Sequence, residues 1–140
     1  MNEDQVKHLE IIQSVIARMA ANSFLCKGWS LTLVAGLFAI AAKECNASFA
    51  ILAFFPGFSF WGLDAYYLRQ ERSFRRLYDA VRCSDYGEWR SRLLFCMDAS
   101  QYQRDVTSWP WLLFSPTVVA LHGVVLIVVT GIIVVISLGC

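Results

Sequence analysis

Charge is scarce in this chain. Asp, Glu, Lys and Arg make up 16% of its 140 residues, where a soluble domain carries about 25%. The shortage is concentrated, because residues 28–42, 45–63 and 106–140 contain none of the four. Those blocks cover about half of the chain and leave no room for a soluble core with a charged shell. The chain therefore reads as a polytopic membrane protein. Other absences narrow its chemistry. A net charge of +1 offers no global attraction to nucleic acid or to acidic partners. The five cysteines (Cys26, Cys45, Cys83, Cys96 and Cys140) include no CxxC pair and have no clustered histidines beside them, so neither a zinc site nor a disulfide framework is expected. No HExxH, GxSxG, glycine-rich phosphate loop or EF-hand is present, so no catalytic, cofactor-binding or metal-binding residues are expected and the chain is read as non-enzymatic. The first 23 residues hold Glu3, Asp4, Lys7, Glu10 and Arg18, which argues against a cleavable signal peptide.

What is present is an all-α plan with three transmembrane helices. About 20 helical residues cross the roughly 30 Å of bilayer hydrocarbon. The expected spans are 24–42, 48–68 and 115–138. Lys27 lies one turn inside the first and can reach the interface along its own alkyl stem. The first two spans form a hairpin through Lys43-Glu44-Cys45-Asn46, and Trp109 and Trp111 mark the interface before the third. Pro116 and His122 leave two spans plus a buried or re-entrant third segment as the alternative. Eleven of the 12 Lys and Arg residues lie in the N-terminal arm or in 65–108. The positive-inside rule then places the N-terminus in the cytoplasm and Cys140 outside.

Two cytoplasmic elements accompany the spans. Residues 1–23 read as an amphipathic helix, with Asn2 as N-cap and Gln5 reaching back in a capping box. Its stripe of Leu9, Ile12, Ile16 and Met19 suits packing on a partner helix better than lying on lipid, because its polar face has few cations. Residues 69–108 read as an arginine-rich helical segment continuing the second span and turning near Gly87. Arg69, Arg72, Arg75 and Arg76 are its candidate anion- or partner-binding residues, for lipid phosphate, a nucleotide, nucleic acid or a cytosolic protein. The plainer reading is an arginine cluster that sets topology and meets headgroups nonspecifically.

Within the spans, His122 and Asp64 are the polar residues to explain. His122 is a relay candidate or a group bonded to a backbone carbonyl, and Asp64 is expected to pair with an arginine or a tyrosine. Gly28, Thr32 and Gly36 repeat every four residues on the first span, and Gly123 and Gly131 do so less regularly on the third. Small residues at that spacing let helices approach closely, within the chain or between copies.

Two strings carry a family resemblance: Asn22-Ser-Phe-Leu-Cys-Lys-Gly-Trp-Ser-Leu-Thr-Leu-Val-Ala to Lys43, and Phe60-Trp-Gly-Leu-Asp-Ala-Tyr-Tyr-Leu-Arg-Gln-Glu-Arg-Ser-Phe-Arg-Arg-Leu-Tyr-Asp-Ala-Val-Arg82. They resemble small bacterial membrane proteins built from an N-terminal helix, a transmembrane hairpin and a following helix. The layout is similar to SLATT-type antiphage-defence effectors, from which the third span departs. The resemblance implies an oligomeric inner-membrane effector that compromises membrane integrity when a cytosolic signal engages 65–108. It supplies no catalytic residues. The competing expectations are an anchor or accessory subunit that recruits a soluble protein, and a small ion- or lipid-handling protein using His122 and Asp64.

Overall fold

A computed structural model describes residues 2–44 and 46–139. Cys45, in the expected hairpin turn, and Cys140, the expected external end, lie outside the described residues. No strand occurs among those described, and three helices are long and apolar enough to cross a bilayer.

The N-terminal arm and the first span are one helix. Helix α1 runs Glu3–Glu44, 42 residues without a break, which at 1.5 Å per residue is about 63 Å. Asn2 starts it, its Oδ1 accepting from the Glu3 amide at 2.7 Å. The capping box does not form. Gln5 turns inward, and its Nε2 donates to the Val81 carbonyl at 2.9 Å and the Ser84 carbonyl at 3.1 Å. A buried amide bonded to two distant carbonyls has left the local position that a capping side chain must occupy.

Helix α2 (Ala47–Leu52) follows, capped by Asn46, whose side chain accepts from the Ser48 amide at 2.9 Å. Helix α3 (Phe54–Cys83) then runs back along α1. The step between α2 and α3 at Ala53 has a cause in Pro56, which lacks an N–H and crowds the carbonyl four residues earlier. The second span is therefore two helical pieces.

Two apolar clusters hold the helices together. At the arginine-rich end, Leu9, Ile12 and Ile16 of α1 pack on Leu77 and Val81 of α3, with Trp89 and Ala99 closing over them. The partner of the amphipathic stripe is thus the chain's own α3. Burying each such side chain is worth roughly 1.5–3 kcal/mol. At the other end, Val34, Ala53, Val125 and Val129 form an apolar core between α1, the α2–α3 step and the last helix.

Residues 84–115 connect the two ends through helix α4 (Tyr86–Glu88), a π turn at Trp89–Leu93, a 3-10 turn at Ser100–Arg104 and helix α5 (Trp109–Leu112). Helix α6 (Pro116–Gly139) begins on its proline, where the missing N–H leaves no bond unmade. Its 24 uninterrupted residues give about 36 Å, enough to cross the hydrocarbon. Pro116 opens this helix and does not fold it back.

Candidate functional site

One buried carboxylate gathers polar groups from three helices. Asp64 of α3 is fully buried. Ser23 and Lys27 stand four residues apart on α1, hence on one face. The Lys27 ammonium donates to Asp64 Oδ1 at 2.6 Å and to Ser23 Oγ at 2.9 Å, and the Ser23 hydroxyl donates to the same Oδ1. From α6, His122 brings Nε2 to 3.3 Å from Asp64 Oδ2. That approach is close but not aligned as a hydrogen bond, so both ring nitrogens of His122 and Asp64 Oδ2 lack hydrogen-bond partners. Ser30 Oγ is a further buried atom without one.

Aromatic side chains frame this centre. Trp61 lies on the His122 ring with centroids 6.5 Å apart and planes 11° from parallel. A cleft of about 280 Å³ reaches the centre, lined by Ser23, Lys27, Asp64, Leu68, Glu71 and Thr117.

These contacts revise the sequence reading in two places. Lys27 spends its charge on Asp64, not on the interface. Asp64 pairs with a lysine and faces a histidine, where an arginine or tyrosine was expected. A lone carboxylate in an apolar setting is costly, so the nearest cation and hydroxyl turn inward to meet it. His122 and Asp64, the two intramembrane polar residues singled out in the sequence, belong to one constellation. Ser23 joins them unforeseen, and its only advance signal is the helical spacing to Lys27.

The arginines divide. Arg72, Arg75 and Arg76 line a cleft of about 300 Å³ together with Asp79 and Asp105. Arg75 is held by Glu71 at 2.8 Å. Arg69 turns away, and its Nη2 donates to the Gln103 carbonyl at 3.5 Å. Arg72 and Arg76 make no ion pair among the described residues. The two aspartates offset much of the positive charge in this cleft.

The small-residue positions face outward. A side-chain carbon added at Gly28, Gly36 or Gly131 would meet nothing within 4 Å. Thr32 is exposed, its hydroxyl donating to the Gly28 carbonyl at 3.0 Å. Gly123 meets only Val119 of its own helix, at 3.4 Å. Small residues inside the bundle are instead the fully buried Ala50, Ala53 and Ala65, together with Gly57 and Gly62, where an added carbon would lie 3.5 Å from Leu126 and from Trp109 respectively.

A second polar cluster, at His8, was not anticipated. The fully buried ring of His8 lies between Trp89, whose Nε1 donates to Nδ1 at 3.0 Å, and the Cys96 carbonyl, 3.1 Å from Nε2. Phe95 covers it with centroids 5.5 Å apart and adopts φ +47° to do so, a left-handed conformation that costs a side-chain-bearing residue about 1–2 kcal/mol. Burial lowers the His8 pKa below its ordinary value of 6.5, opposed by the bond to Cys96. Burial also raises that of the nearby Tyr102 phenol. Gln5 and His8 could have been found, because they extend the Leu9–Ile12–Ile16 stripe at helical spacing.

Among the described residues no group of His, Cys, Asp or Glu is arranged to hold a metal ion. The structure thus defines an all-helical bundle with three bilayer-length helices and a buried polar centre at their crossing. No family model, curated protein or solved structure matches the chain.

Proposed function

We propose that this chain is a non-enzymatic effector of a bacterial inner membrane, held closed at rest by the Asp64 centre. The observation that carries this reading is that one buried carboxylate ties α1 to α3 through Lys27 and Ser23 and draws α6 in through His122. Removing one partner of a buried ion pair leaves the other charge unmatched, at about 3–5 kcal/mol. That is enough to switch a small bundle between two arrangements. Among the described residues the core of the far half is the apolar Val34, Ala53, Val125 and Val129 cluster, which fits a resting state closed to ions. Outward-facing Gly28, Thr32 and Gly36 support assembly of copies side by side. The arginine-rich end faces the cytoplasm in this reading, where a protein or anionic signal engages 65–108. Likeness of layout to SLATT-type effectors supplies the setting, antiphage defence.

The groups at the centre support a role without catalysis. Ser23 and Lys27 resemble a nucleophile and its base, but a base must be a neutral amine. Here Lys27 is committed to a carboxylate, and Ser23 donates to that carboxylate and not to an imidazole.

The test is Asp64→Asn, expressed in bacteria loaded with a membrane-potential dye. The expected result is depolarisation without a trigger. An Asp64→Asn protein that reaches wild-type membrane levels and leaves the potential unchanged overturns the reading. A second reading, handling of protons or small ions, draws on the cleft that reaches Asp64. His122→Phe separates the two, since a relay loses its activity while a latch held by Lys27 is only weakened.

A further inference from the structure

The hydrogen bonds around His8 admit one protonation state. An indole N–H can only donate, and Trp89 aims it at Nδ1 from 3.0 Å. A carbonyl oxygen can only accept, and that of Cys96 stands 3.1 Å from Nε2. The ring is therefore neutral, with its proton on Nε2. A second proton would have to sit on Nδ1, directly against the indole N–H. The ring is fully buried, so no water can stand between them.

We infer that His8 and Trp89 form a proton-operated clasp, which fastens the first turns of α1 to residues 84–99 near neutral pH and releases them in acid. The inference stands on this geometry and not on the Asp64 reading.

Among the described residues no carboxylate pairs with the ring to stabilise its protonated form. On α1, the flanking Asp4, Lys7 and Glu10 are exposed, and Lys7 is paired with Glu3. On α3 and the connecting segment, Arg82, Asp85, Glu88, Arg92 and Asp98 are exposed too. The remaining titratable groups of that segment are Tyr86, Arg90, Arg104 and Asp105, all exposed, and the half-buried Cys96 and Tyr102. The His8 pKa is accordingly lowered by desolvation. The released state thus takes up the proton first, and acid favours release.

Release has a defined structural consequence. Trp89 is 1% exposed and caps the Leu9–Ile12–Ile16 cluster. Phe95 has a left-handed backbone, φ +47°, with its ring against His8 and Trp89, contacts that offset the cost of that conformation. Opening the clasp frees both, and the segment that joins α3 to α5 loses its hold on α1. In the proposed orientation this end lies in the cytosol, so the input is a fall in cytosolic pH.

The full chain in nanodiscs, followed by peptide-resolved hydrogen exchange, tests the clasp. On moving from about pH 7.5 to about pH 5, protection factors for 86–99 should fall roughly tenfold or more, once corrected for intrinsic rates. His8→Leu should give one protection at both pH values. Trp89→Phe keeps a ring and the burial but removes the opposing donor, so its response should be smaller than that of the wild type. Unchanged protection in the wild type overturns the clasp. So does a fall of wild-type size in a helical His8→Leu or Trp89→Phe protein.

Discussion

Trp61 and Trp109 bond the same two stretches of chain in opposite senses. The Trp61 indole donates to the Leu113 carbonyl at 3.0 Å, and the Trp109 indole donates to the Gly62 carbonyl at 3.1 Å. One ring comes from α3 and reaches the end of α5, and the other comes from the start of α5 and reaches α3. Together they fix where α6 begins relative to Asp64. Trp61→Phe and Trp109→Phe should each destabilise the bundle by about 1 kcal/mol, the usual worth of one hydrogen bond. Trp61→Phe should cost more, because its ring also lies on His122. Unfolding of the purified protein in mixed micelles measures both.

The ion pair predicts a pattern of non-additivity. Lys27→Met leaves Asp64 buried without its cation, and Asp64→Leu leaves Lys27 without its anion. Each single change should cost about 3 kcal/mol or more, whereas the double change should cost less than either alone. A double-mutant cycle on the same unfolding transition checks this. Additive losses would place the stabilisation elsewhere.

Stability should also depend on pH through His8. Its pKa is lowered in the folded chain, so its contribution is fully present above the ordinary value of 6.5. That contribution is lost as pH falls below it, because the unfolded chain binds the proton first. The thermal midpoint of the wild type should therefore drop on acidification, and that of His8→Leu should follow a flatter curve over the same window.

The outward glycines predict a separation of two properties. Gly28→Leu and Gly36→Leu meet open space, so stability should change by about 0.5 kcal/mol or less. Chemical cross-linking in membranes should nevertheless lose its oligomer bands, if copies meet on this face. Gly57→Leu is the control, since a carbon added there lies 3.5 Å from Leu126. A larger side chain should destabilise the single bundle by about 1–3 kcal/mol.

The long apolar runs made the three bilayer-length helices legible, because lipid and a helix interior both exclude charge. The stripe of Leu9, Ile12 and Ile16 was legible as a packing face for the same reason. What could not be read was pairing at a distance. Lys27 and Asp64 are 37 residues apart, and no local rule tells a lysine near a span's end whether to reach for water or for a carboxylate. Gln5 failed the other way. It sat at the correct spacing for a cap, but tertiary hydrogen bonds to Val81 and Ser84 won. The spacing of His8 puts it on the packing face of the arm, but its partners Trp89 and Cys96 are brought to it only by the return of the chain.

Because α1 runs unbroken from Glu3 to Glu44, it is a rigid rod with His8 near one tip and Lys27 past its middle. Some 28 Å separate the two, with no joint between them to absorb a twist. In the two proposals above, the proton clasp and the Asp64 latch therefore share one axle and need no messenger between them.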